Sequence, residues 1–176
     1  MDLKTLKRRW AWTSAGAFVM ICLLLWVGAP LDAAHYNILC LEFAPTAADV
    51  SRVVAAWSDA GALRAAGWLL ALDYIFMPLY GFALFYGTNA ARESFASVGS
   101  ELYRILTFAA FLPLVAAGLD AIENLLEARM IFGGLTPDIS GVAFAVSVIK
   151  TSLIVVGLAG SVAGIAGWRM GRLRAV

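Results

Sequence analysis

Apolar residues gather along the chain into four long runs, at about residues 10–29, 66–86, 105–126 and 141–168, and the segments between them carry most of the charge. Each run is long enough to cross a hydrocarbon layer about 30 Å thick, which takes about 20 helical residues. The alternation of a membrane barrel is absent, so the pattern predicts helices. The expected fold is all-α: an integral membrane four-helix bundle forming a single membrane domain over residues 1–176.

Between the first two runs the pattern changes. Pro45-Thr46-Ala-Ala-Asp49 has the form of a helix start, with Thr46 as N-cap and Asp49 at the third helical position. Val50, Val53, Val54 and Trp57 then share one face, and the segment ends near Ser58 to Gly61. An amphipathic helix is therefore expected on the membrane surface or over the mouth of the bundle, within a loop spanning residues 30–65 that begins at Pro30.

Composition supports a membrane solvent, since 62% of the residues are hydrophobic and only 14% are charged. A formal net charge of +1 argues against a nucleic-acid partner. The placement of charge says more. Lys4, Lys7, Arg8 and Arg9 precede the first run, Arg92 and Arg104 lie between the second and third, and Arg169, Arg172 and Arg174 follow the fourth. The other two connections hold only Arg52, Arg64 and Arg129. By the positive-inside rule both termini are expected in the cytoplasm of a bacterial inner membrane, with residues 30–65 and 127–140 outside. The basic start followed by an apolar run has some features of a secretory signal, but the run is long for a signal core and is read as an anchor. Cys22 is expected in lipid and Cys40 outside, which separates the two thiols.

The polar residues inside the runs are where chemistry is sought. Asp120, Glu123, Asn124 and Glu127 recur at helical spacing and form one stripe on the third span. Asp73 lies five residues beyond Trp68 in the second span, roughly 8 Å along a helix. Its face continues through Met77 to Tyr80, with Tyr74 adjacent, and Pro78 and Pro113 are expected to bend their helices. Lys150, in the fourth span, has a stem long enough to bring its ammonium toward the carboxylates. The expected binding set is Asp73, Tyr74, Tyr80, Asp120, Glu123, Asn124 and Lys150, in the outer half of the bilayer. Asp73, Asp120 and Glu123 outnumber Lys150, and carboxylates desolvated together cannot all ionise. Arg64 and Arg129 are expected near enough the outer interface to help, and Glu123 is expected to be the acid whose neutralisation the fold tolerates best. Past Lys150, Gly157, Gly160, Gly164, Gly167 and Gly171 allow close backbone approach, read as packing within the bundle in preference to dimerisation.

The stretches Cys40-Leu-Glu42-Phe, Trp57, Leu72-Asp73-Tyr-Ile-Phe-Met-Pro-Leu-Tyr80 and Gly118-Leu-Asp120-Ala-Ile-Glu123-Asn124 resemble a group of small, uncharacterised bacterial four-span membrane proteins over residues 40–126. The resemblance implies the four-span architecture and carries no activity.

Three functions fit such a layer. The leading one is binding of a lipid-like or cationic small molecule in an acidic intramembrane pocket. The second is a lipid- or isoprenoid-modifying enzyme, with Glu123, Asp120 and Asp73 as candidate acid and base. The third is an accessory subunit of a membrane complex, or a homo-oligomer, in which the cluster only fixes helix register. Asp73, Asp120, Glu123 and His35 form a weaker metal-ligand alternative. The sequence has no His cluster, phosphate loop, nucleophile motif or CxxC, so no metal or cofactor is expected and membrane lipid is the expected partner.

Overall fold

In the computed structural model, residues 1–96, 100–134 and 136–173 are described. The fold is all-α, with no strand among the described residues. Helix α1 spans Leu3–Ala33, α2 Ile38–Glu42, α3 Ala47–Asp59, α4 Leu63–Ser94, α5 Ser100–Ala109 and α6 Leu112–Ala128. A π-helical turn, Arg129–Gly133, follows α6, and α7 spans Pro137–Leu173. Four stretches are long and apolar enough to cross a membrane: Leu3–Ala33, Leu63–Ser94, Glu101–Gly133 and Asp138–Ala163. The chain is a multi-pass membrane protein, and the four apolar runs read from its sequence fall on these helices.

The first helix does not stop at Pro30. It continues to Ala33, because a proline so close to the C-terminus removes only one backbone donor, while Leu31 is fully buried beyond it. The helix ends where His35 takes a positive φ of 65°. A left-handed residue past the last turn is a common helix stop, although glycine usually supplies it. His35 is exposed, so the chain's only histidine ends a helix and joins no polar cluster.

Two compact units make up the chain, and each draws one helical segment from every span. The first, here called the ion-pair unit, comprises Val19–Met77 and Gly118–Lys150. Its core gathers Leu31, Leu41, Val50, Val53, Trp57, Ala66, Leu69, Met130 and Ala143. The face predicted for α3 thus packs inward, with Val50 and Trp57 at 0% exposure. Thr46 caps this helix as expected: its Oγ1 accepts from the Asp49 backbone N–H at 3.2 Å and donates to Asp49 Oδ2 at 2.6 Å. The Thr46 hydroxyl, with Arg52 beside it, holds the Asp49 carboxyl below the usual carboxylate range. Trp57 Nε1 donates to the Tyr36 carbonyl at 2.7 Å, which ties α3 to the chain entering α2. Trp57→Ala removes both the ring and this bond, and is expected to cost about 3 to 5 kcal/mol, read as a lowered Tm by circular dichroism in detergent.

The second, here called the glycine unit, comprises Met1–Phe18, Pro78–Ala117 and Thr151–Val176. The third span breaks in this unit where a bend was expected, with α5 ending at Ala109 and α6 starting at Leu112. The cause is Pro113, whose ring conflicts with the carbonyl four residues earlier, that of Ala109. Close helix approach accounts for the glycines. A Cβ on Gly160 would come within 2.8 Å of Thr88, one on Gly157 would collide with Pro113, and Thr88 Oγ1 donates to the Gly157 carbonyl at 3.3 Å. Gly157 and Gly160 therefore serve packing inside the unit. The surroundings of Gly164, Gly167 and Gly171, like Arg174, lie outside the described residues.

Candidate functional site

Helix α6 presents its polar stripe inward in the ion-pair unit. Asp120, Glu123, Asn124 and Glu127 are 5%, 0%, 4% and 1% exposed, so the helical spacing read from the sequence becomes a wholly buried acidic face. Burial of this kind demands partners, since an ionised carboxylate in a low-dielectric layer is costly unless paired and hydrogen-bonded.

Lys150 meets much of that demand. Its Nζ lies 2.9 Å from Asp120 Oδ1 and 3.2 Å from Glu42 Oε2, and also pairs with Glu123. One ammonium on α7 thus joins three carboxylates from two other segments, α6 and the short helix α2. Ser147, one turn before Lys150 on α7, reinforces the node: its hydroxyl lies within hydrogen-bond reach of Glu123 Oε1, the Glu42 carbonyl at 2.8 Å and the Ala143 carbonyl at 2.9 Å. A hydroxyl has one proton, so it donates to one of these at a time.

The remaining acids are held differently. Asn124 Nδ2 donates to Asp73 Oδ2 at 3.0 Å and to the Leu70 carbonyl at 3.3 Å, so Asp73 is met by a neutral amide. Glu127 is buried, and its Oε1 has no hydrogen-bond partner. Both line a cavity of about 270 Å³. Asp32, Asn37, Glu42 and Asn124 complete its polar wall, while leucines and isoleucines of α1, α2 and α4, with Gly28 and Phe76, form the rest. Among the described residues, no Lys, Arg or His lines it.

The polar layer therefore has two halves. Glu42, Asp120, Glu123 and Ser147 surround Lys150 and form the paired half; Asp73, Asn124 and Glu127 face the cavity with no cation among them, and Glu42 belongs to both, pairing with Lys150 while it lines the cavity. Of the residues expected to bind, Asp73, Asp120, Glu123, Asn124 and Lys150 all belong to the ion-pair unit. Tyr74 is in the same unit but 43% exposed, and its hydroxyl donates outside the cluster, to the Ala121 carbonyl at 3.2 Å. Tyr80 is buried in the glycine unit. Arg64 lines a separate cleft with Trp68 and Phe132, and no ion pair joins it or Arg129 to the cluster among the described residues. His35 is not grouped with Asp73, Asp120 and Glu123, and no set of three or more His, Cys, Asp or Glu able to hold a metal ion occurs among the described residues.

Sequence reasoning did not place Glu42, Ser147 or Glu127 among the candidate site residues, though the structure buries Glu127 beside the cavity and joins Glu42 and Ser147 to the Lys150 node. Glu127 was legible as the last member of the stripe. Glu42 carried one signal, as the acid inside a short apolar segment capped by Asn37, whose side chain accepts from the Cys40 N–H. Comparison with known proteins finds no matching family model, no similar curated protein and no similar solved structure. Function must therefore be sought in the chemistry of these side chains.

Proposed function

We propose that this protein binds a lipid-like or cationic small molecule in the cavity of the ion-pair unit. The observation that carries the reading is Glu127: a fully buried carboxylate with an unpartnered oxygen on the wall of a cavity that has acids and amides but no cation. Groups so placed are stabilised by an incoming positive charge, because attraction between charges strengthens as water is excluded. Lys150 cannot serve them as well, since it already pairs with Glu42, Asp120 and Glu123.

The test is titration of the purified protein in detergent with butylamine at neutral pH, followed by thermal unfolding. A saturable rise in Tm is expected, corresponding to about 2.7 kcal/mol at a hundredfold excess over Kd. Sodium butyrate should give none, and Glu127→Gln should abolish the rise. An equal response to butyrate, or an unchanged response in Glu127→Gln, would refute the reading.

The charge asymmetry of the connections and the resemblance to small bacterial four-span proteins support a bacterial inner membrane with both termini in the cytoplasm. Cys40 is exposed on α2, so an impermeant thiol reagent applied to intact cells should label it. Glu101→Cys, in a Cys40→Ser background, should react only once the cells are opened. The reverse pattern would invert the orientation.

A further inference from the structure

The cavity is a slot with a chemical gradient along it. On α1 it is lined by Ile21, Leu24, Leu25, Gly28 and Asp32, which places its ends eleven residues, or about 16 Å, apart. The other helices agree in direction. Asp32, Asn37, Glu42 and Glu127 lie where α1 ends, α2 runs and α6 ends; Asp73 and Asn124 lie between; Ile21 and Phe76 lie deepest along their spans. Both ends are open: at the apolar end Ile21 is 42% and Leu25 is 67% exposed, on a helix long and apolar enough to cross a membrane, and at the polar end Asp32, Asn37 and Leu39 are exposed.

We infer that the ligand is a single-chain amine amphiphile, which enters from the bilayer beside Ile21 and Leu25 and lodges its ammonium among Glu127, Glu42 and Asp73. This rests on the cation-binding reading above and names the ligand class. Size, polarity and charge each restrict the class. At about 30 Å³ per water molecule, a cavity of about 270 Å³ has room for an ammonium and a short alkyl segment but not a whole phospholipid, so the rest of the chain extends into lipid. The polar end accepts hydrogen bonds from a three-proton ammonium through several carboxylate oxygens, whereas a neutral alcohol leaves those charges unbalanced. A phosphate headgroup meets only like charge there. The acidic lining is more than a cluster of carboxylates, because Glu127 is 1% exposed, lines the slot and has an oxygen that no other group satisfies.

The experiment uses the full chain in nanodiscs and follows binding of butylamine, octylamine, octanol and octyl phosphate by calorimetry and native mass spectrometry. If the chain partitions into lipid, each methylene adds roughly fourfold to apparent affinity, so octylamine should exceed butylamine by on the order of 100-fold. Octanol and octyl phosphate should bind at least tenfold more weakly than octylamine. Leu25→Trp, at an exposed position that leaves the core untouched, should weaken octylamine at least tenfold more than it weakens butylamine; Ile21→Trp is a second obstruction of the same opening. If both amines bind alike, or neither tryptophan affects octylamine, bilayer entry by a single-chain amphiphile is wrong and the cation reading stands. If octyl phosphate binds as well as octylamine, the amine class is wrong. If no amine binds wild type, or Glu127→Gln binds both amines as wild type does, the cation reading itself fails.

Discussion

Lys150→Met is expected to be among the most damaging single substitutions in the chain, lowering stability by about 3 to 5 kcal/mol. Methionine keeps the length and apolar character of the stem, so the loss is of charge more than of volume. What remains is Glu42, Asp120 and Glu123 facing one another with no ammonium between them. Thermal unfolding in detergent reads the loss directly. A rescue makes the attribution specific: adding Asp120→Asn and Glu123→Gln to Lys150→Met should recover much of the stability, because two of the three orphaned carboxylates are then neutral and only Glu42 keeps an unpaired charge. If Lys150→Met unfolds within about 1 kcal/mol of wild type, the three ion pairs do not hold the unit together. Failure of the neutralised triple variant to recover would assign the loss to packing.

This network shows what the sequence makes legible. Hydropathy locates the four spans because each apolar run is long enough to cross the hydrocarbon core of a bilayer. The stripe on α6 is legible because its spacing is strictly helical, and Thr46 and Asp49 are legible because a cap is a local feature. Glu42 is different. It reaches Lys150 from a helix of five residues, Ile38–Glu42, too short for periodicity to register, and the partners are 108 positions apart. Ser147 is a hydroxyl inside an apolar run, where back-bonding to the preceding turn is its ordinary state, and only the tertiary fold puts Glu123 opposite it. The extension of α1 past Pro30 was hidden because its value lies in burying Leu31. Counting acids against Lys150 gave the surplus correctly in sign. It could not say which acids Lys150 takes, since that depends on where three separate segments converge.

That division reverses an expectation about which carboxylate is free. Glu123 was the expected choice for harmless neutralisation, being one turn from Asp120, but it pairs with Lys150 and meets Ser147. Glu127 takes that place. Its Oε1 has no partner, it is completely buried, and the carboxylates of Glu42 and Glu123 bear on it electrostatically. Glu127→Gln keeps the shape and removes a carboxylate whose Oε1 has no partner in the fold. Stability is therefore expected to hold or rise, by about 1 to 2 kcal/mol, in line with relief of a functional site at the expense of activity. Glu123→Gln should fall instead, by about 1 to 3 kcal/mol, the range for a lost charge-assisted hydrogen bond. Melting both variants beside wild type, each with and without saturating butylamine, reads fold and function together. The expected outcome is a Glu127→Gln protein as stable as wild type that butylamine no longer stabilises, and a less stable Glu123→Gln protein that butylamine still stabilises. If Glu127→Gln melts well below wild type, Glu127 is a structural partner within the ion-pair unit, and the separation of a paired half from a ligand-facing half collapses.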